Sequence, residues 1–176
     1  MPVSLVAVPP ELINLQPDLA TWVPGLAHGT LFESSCSETR QGIRAANVPE
    51  NRRRFAKLVA LFTWTMAQDH QLYYAATQPE LVFSFDHGHF LPGGPNLSIA
   101  LAATTSRPLQ LDTYFDACRL TPDELRAARH DLLNVTFDQL ATAVASPPED
   151  WSLTMADRVV LAEFLRRRRA QVARLM

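Results

Sequence analysis

One segment constrains this chain more than any other. From Asn47 to Met66 the apolar residues Phe55, Leu58, Val59, Phe62 and Met66 recur at helical spacing behind Pro49 and Glu50. That pattern predicts a buried helix capped by Asn47, with proline in its first turn. A helix so apolar must be covered, and the sequence downstream offers mostly further helices. The pattern is helical from Asn96 onward. Thr121-Pro122-Asp123-Glu124 spells a capping box, and Thr136 caps a helix through Leu140 and Val144 that ends at Ser146-Pro147-Pro148. A last helix starts near Thr154, with Asp157 in its first turn and Arg166 to Arg169 near its end, charges that complement the helix dipole.

Strand signals are few. Pro2 to Val8 alternates loosely and stops at Pro9-Pro10, which suits a short edge strand, and a helix follows from Pro10. Gly25 to Asn47 is rich in Gly, Ser, Thr and His and reads as a loop with at most one short helix. Leu72 to Ala75 and Leu81 to Phe85 flank the polar stretch Thr77-Gln78-Pro79-Glu80 and read as a β-hairpin. The expected fold is therefore mainly α with a small β-hairpin, a single domain over residues 1–176 without internal repeats. Trp64, Trp151 and the aromatic residues of the hairpin are expected in the core. The runs Arg52 to Arg54 and Arg166 to Arg169 are expected on solvated helix faces.

Composition narrows the function classes. The 176 residues are 47% apolar and 19% charged, enough apolar material for a core. A net charge of −2 lacks the basic excess that phosphate neutralisation demands, so nucleic-acid binding has no compositional support. The longest apolar stretch, Leu58 to Met66, is broken by Thr63 and Thr65 and falls short of the roughly 20 residues a membrane span needs. No membrane association is expected. Cys36 and Cys118 have no CxxC spacing and the first residues show no leader pattern, so a cytoplasmic protein with free thiols is expected.

The chemistry concentrates in Asp69-His70, after the core helix, and Asp86-His87-Gly88-His89, after the hairpin. A hairpin returns its far end to where its partner began, so Asp69 and Asp86 are expected on one rim. Two carboxylates there can divide labour, one accepting a hydrogen bond from a nucleophile and the other holding a hard divalent cation. Other readings of the same residues stay open. Asp69 can simply cap a turn, Gly88 can serve backbone geometry, and His87 and His89 can ligate a transition metal with Asp69 or His70 in a small metallohydrolase.

The run Trp64-Thr-Met-Ala-Gln-Asp69-His70-Gln-Leu-Tyr-Tyr74, followed by Leu81-Val-Phe-Ser-Phe-Asp86-His87-Gly88-His89-Phe90, resembles the catalytic and metal-binding segments of HipA-like kinases. Gly25-Leu-Ala-His-Gly29-Thr-Leu-Phe-Glu-Ser34 upstream and Pro147-Pro148-Glu149-Asp150-Trp151 downstream agree in order. The resemblance covers nearly the whole chain and implies the C-terminal lobe of a protein-kinase-like fold, with the chain starting near the hinge at Val3 to Val8 and the N-terminal lobe absent. It implies Asp69 as the catalytic residue, Asp86 as the metal ligand, His70, His87 and Gly88 beside the cofactor, and Mg²⁺ with ATP as cofactors. The family pattern Asn-x-Asp-Arg-His-x-x-Asn is altered here to Ala67, Asp69, His70, Gln71 and Tyr74, and Tyr74 cannot supply the amide oxygen of the final Asn. Lys57, the single lysine, lies on the core helix and does not replace a phosphate-binding lysine. The resemblance thus implies a Ser/Thr-kinase-type phosphotransferase lobe that is catalytically weakened or dependent on a partner chain, in a toxin–antitoxin-like setting. The alternative is a pseudokinase-like protein-binding module. In either case a protein partner or self-association through the N-terminal edge is expected.

Overall fold

The structure, a computed structural model, describes residues 3–15, 23–30, 36–39, 42–76, 79–94, 96–104 and 110–176. It is mainly helical, with two small antiparallel sheets. The chain divides into two compact units, residues 1–34 with 147–154, and residues 35–146 with 155–176.

In the smaller unit β1 (Val3–Val8) pairs antiparallel with β2 (Gly25–Thr30), Val3 opposite Thr30 and Val8 opposite Gly25. Helix α1 (Pro10–Leu15) follows β1 directly and buries Ile13. A 3₁₀ turn at Glu149–Trp151 belongs to the same unit, and the Trp151 indole donates to the Leu26 carbonyl at 2.8 Å. Trp151 is 44% exposed, so it is not the core residue expected of it. Its ring instead lies at the surface, anchored by one hydrogen bond.

The larger unit is organised by α2 (Pro49–Thr65). One face packs Phe55, Leu58, Val59 and Phe62 against Leu72, Tyr74, Val82, Phe115 and Cys118. Ala56 and Ala60, on another face, meet Ala128, Leu132, Val172 and Ala173. Those small side chains let α4 (Pro122–Leu133) and α6 (Met155–Val172) approach closely, which is why one helix is buried on two sides. Helix α3 (Ile99–Thr104) also packs on α6, as does α5 (Phe137–Ala145). Both expected capping boxes form, Thr121 with Glu124 and Thr136 with Gln139.

The expected cap of α2 does not form. Val48 occupies that position in extended backbone without a side-chain bond, and Asn47 lies in the preceding turn. The polar residue that organises this end is Asn51, which is fully buried. Its amide donates to the carbonyls of Ala45 at 3.1 Å and Glu80 at 2.7 Å, and accepts from the Val82 N–H at 2.8 Å. One amide thus ties the entry turn and the hairpin to the helix.

A three-stranded sheet places β3 (Cys36–Thr39), β4 (Leu72–Ala75) and β5 (Val82–Ser84) in that order, all antiparallel. The hairpin is where the aromatic pattern puts it, but Gly25 to Asn47 is not the expected loop, since it carries β2 and β3. Neither strand alternates cleanly, and each is defined by the strand it pairs with.

Within the arginine runs Arg53 and Arg166 are exposed, as expected of solvated faces, but other members depart from that role. Arg52 pairs with Glu124 and donates to the Cys118 and Arg119 carbonyls at 3.2 and 3.0 Å. Arg168 is buried, its Nε donating to the Trp64 carbonyl at 2.8 Å and its Nη2 to that of Thr63. Arg167 donates to the Ala102 carbonyl at 3.0 Å. Two of these arginines therefore donate to carbonyls in the C-terminal turns of α2 and α3, where the intrahelical donors run out. Trp64 is half-buried against the small-residue face, its indole donating to the Leu165 carbonyl at 2.8 Å. Among the described residues no helix is long and apolar enough to cross a membrane.

Candidate functional site

The site begins where α2 stops. Met66 adopts the left-handed conformation (φ 60°), and its capping bond returns to the Phe62 carbonyl. The chain then runs through residues 67–71 into β4, and after β5 it comes back alongside through residues 85–91. Three backbone bonds zip these stretches together: Phe85 N–H to the Gln71 carbonyl at 3.2 Å, Gln68 N–H to His89 at 3.0 Å, and Leu91 N–H to Thr65 at 2.7 Å. The hairpin register, Leu72 opposite Ser84, thereby continues beyond the strands.

That zip brings Asp69 and Asp86 together, as the spacing predicts. The Gln71 Nε2 donates to Asp69 Oδ2 at 2.6 Å and to Asp86 Oδ2 at 3.1 Å, so the two carboxylate oxygens lie no farther apart than those distances combined. Asp69 Oδ1 accepts from the His70 N–H at 2.9 Å. The Gln71 amide is the main reason the Asp69 carboxyl is held below its ordinary range; a smaller cost of burial opposes it, and the His70 N–H adds to it. Asp86 is exposed, with φ 48°. Met66, Asp86 and Leu91 (φ 68°) place three left-handed non-glycine residues around one rim, a concentration of backbone strain typical of sites where geometry is over-determined.

The remaining residues of the motif divide by direction. His70 turns inward: its ring stacks between Phe62 (centroids 5.1 Å apart) and Tyr114 (4.3 Å), and Nε2 lies 2.8 Å from Asp112 Oδ2. It props the loop from below. His87 is exposed and lies 2.9 Å from the Ser84 hydroxyl through Nε2. Gly88 is not among the residues with positive φ, but a Cβ there would sit 3.4 Å from Asp86 Oδ1, so its smallness leaves room for that carboxylate. Tyr74 is fully buried in the core, and its hydroxyl accepts from the Arg44 N–H at 3.1 Å. Lys57 pairs with Asp131 at 2.8 Å on α2, away from the rim.

Sequence reasoning missed Gln71 as a member of the site. Its only signal is its place, two residues after Asp69 and one before β4, and nothing about glutamine there marks it as chemical. The donor set of two carboxylates and one amide suits a hard, oxygen-preferring divalent cation that keeps waters of its own. Among the described residues, no group of three or more His, Cys, Asp and Glu side chains is placed to hold a metal ion. Of the histidines in the metallohydrolase reading, His70 is bonded to Asp112 and His87 to Ser84. No protein-family model, curated protein or solved structure matches this chain.

Proposed function

We propose that the chain is a kinase-type phosphotransferase lobe, resembling HipA-like kinases, in which Asp69 orients a substrate hydroxyl and Asp86, with Asp69, presents carboxylate oxygens to Mg²⁺ carried by ATP. The observation that carries the reading is the single Gln71 amide bonded to both carboxylates, which converge from the two segments the resemblance assigns to catalysis and metal binding. Phosphoryl transfer depends on positioning and on neutralising charge, and Mg²⁺ supplies the neutralisation when bound. Asp69 suits the orienting role because it is held ionised. The lobe is weakened because Tyr74 is committed to the core, leaving its position in the family pattern without a ligand.

Titration calorimetry with Mg²⁺-ATP on the whole chain tests this. We expect weak binding that Asp86→Asn abolishes, and any phosphorylation of a protein hydroxyl to slow by about 10²- to 10⁴-fold in Asp69→Asn. Absence of binding, or equal binding by Asp86→Asn, rejects the reading.

A protein-binding role is favoured separately by β1, where Leu5 and Val6 are each 49% exposed. We place the protein in the cytoplasm, where the free, buried Cys118 thiol, pushed up to about 11 by burial, stays reduced and inert.

A further inference from the structure

A groove of about 580 Å³ runs between α2 and α4 and shares no lining residue with the rim that holds Asp69 and Asp86. Its volume is that of a small-molecule site. The groove originates in the close packing of the two helices. Ala56 and Ala60 meet Ala128 and Leu132, so the floor lies low and the long side chains on either side stand up as walls. The walls are opposite in charge: α2 contributes Arg52, Arg53 and Lys57, and α4 contributes Asp123, Glu124 and Asp131.

Two ion pairs span the groove like rungs, Arg52 with Glu124 and Lys57 with Asp131, the second at 2.8 Å. Between them one rung is incomplete. Arg53 and Ala127 each stand four residues before a member of the second pair, so they occupy the same turn of facing walls, and both are exposed. Where the neighbouring turns set a carboxylate against a cation, Ala127 sets a methyl group. Among the described residues Arg53 makes no hydrogen bond or ion pair of its own. The Asp131 carboxyl, held below its ordinary range chiefly by the Lys57 bond, receives only a smaller push from Arg53, and Asp123 pairs with Arg126 on its own helix. The groove therefore keeps one cation unmatched, beside the apolar surface of Pro49 and Ala127.

We infer that the groove between α2 and α4 binds a small organic monoanion, a carboxylate on a compact apolar body, which completes the Arg53 rung while its body lies against Pro49 and Ala127. A guanidinium accepts this partner well, because its planar fork donates two parallel hydrogen bonds to one carboxylate. A single charge is what the site can use. The three carboxylates of the α4 wall repel any further negative charge, which selects against polyphosphates. This site and the carboxylate pair of the rim are separate, and neither reading depends on the other.

The test uses the whole chain with phenylacetate as the probe, followed by nuclear magnetic resonance. The backbone resonances of Arg53, Ala127 and Ala128 should shift saturably, in the roughly millimolar range that a ligand of about ten heavy atoms reaches. Benzyl alcohol, which has the ring without the charge, and pyrophosphate, which has charge without the ring, should each bind there at least roughly tenfold more weakly, as should phenylacetate to Arg53→Gln. Ala127→Glu supplies the absent carboxylate from within the chain. It should abolish phenylacetate binding while leaving the urea midpoint unchanged or raised, so that lost binding is told apart from lost fold. The inference is overturned if phenylacetate gives no saturable shift at these residues, if pyrophosphate binds there as tightly, or if Arg53→Gln or Ala127→Glu binds phenylacetate as well as the wild type.

Discussion

Four consecutive arginines, Arg166 to Arg169, end α6, and at residue scale they behave in different ways. Arg166 is exposed and pairs with Glu163 at 2.7 Å on its own helix. Arg168 is 6% exposed, and its guanidinium serves the last carbonyls of α2 through Trp64 and Thr63. Burial lowers its pKa to about 10, which leaves it charged at neutral pH and its donors intact. Arg168→Met should therefore destabilise the protein by about 1–3 kcal/mol, the cost of leaving buried carbonyls unpaired. Arg166→Ala should stay within about 0.5 kcal/mol of wild type, as surface changes do. Urea unfolding of the two variants checks the contrast, and equal midpoints would refute it. The distinction was partly legible, because Leu161, Phe164, Arg168 and Val172 fall on one buried stripe at helical spacing. Treating the arginines as one charged run hides that stripe. Gln71 was not legible, because its role depends on two carboxylates that only folding brings to it.

At the scale of elements, what the sequence revealed was what is local. Helix α2 and both capping boxes are written within a few residues of themselves. Strands β2 and β3 are written elsewhere, in β1 and β4, which is why a Gly- and Ser-rich stretch conceals them. The hairpin was readable because its two strands are neighbours, and the convergence of Asp69 and Asp86 followed from that alone. Contacts between helices distant in sequence are equally silent, and the tie between α2 and α4 is the clearest case. Glu124 accepts from Arg52 Nη2 at 2.7 Å and from the Thr121 N–H at 2.7 Å, so one carboxylate closes a capping box and joins two helices. The Arg52 bond is the main cause that lowers its pKa from 4.5 to about 2. A carboxylate depressed on folding contributes stability that is fully present above 4.5 and is lost as pH falls through about 2. We expect wild type to lose stability across that window and Glu124→Gln, already less stable at pH 7, to lose less there. Because the pair is partly exposed, salt should shrink the difference. Urea midpoints for both proteins at pH 7, 4 and 3 decide it, and parallel curves would remove Glu124 from the acid response.

At the scale of the whole molecule the legible part was the mainly helical class, while the surface that the smaller unit leaves exposed needed coordinates. β1 has the sequence Val-Ser-Leu-Val-Ala-Val, without charge and without proline, and among the described residues its only strand neighbour is β2. Exposed edges in monomeric proteins are usually blunted by charge, proline or a bulge, and this one runs in unbroken register over all six of its residues. Leu5 and Val6 point to opposite faces, and each is 49% exposed, so apolar surface shows on both sides of a two-stranded ladder that is marginal without further cover. A second copy of the same strand answers this directly. Antiparallel pairing of β1 with its symmetry mate about a two-fold axis at Val6, which sets Val6 opposite its own copy, would form a four-stranded sheet and place apolar side chains beside their own kind. We therefore expect a concentration-dependent dimer in sedimentation or light-scattering measurements. Val6→Lys should return it to monomer, because a lysine on the edge opposes its own copy across the axis. Circular dichroism should show the helical content nearly unchanged, since α2 to α6 all lie in the other unit. A chain that stays monomeric at every concentration, or a dimer indifferent to Val6→Lys, would show that this edge is not where copies meet.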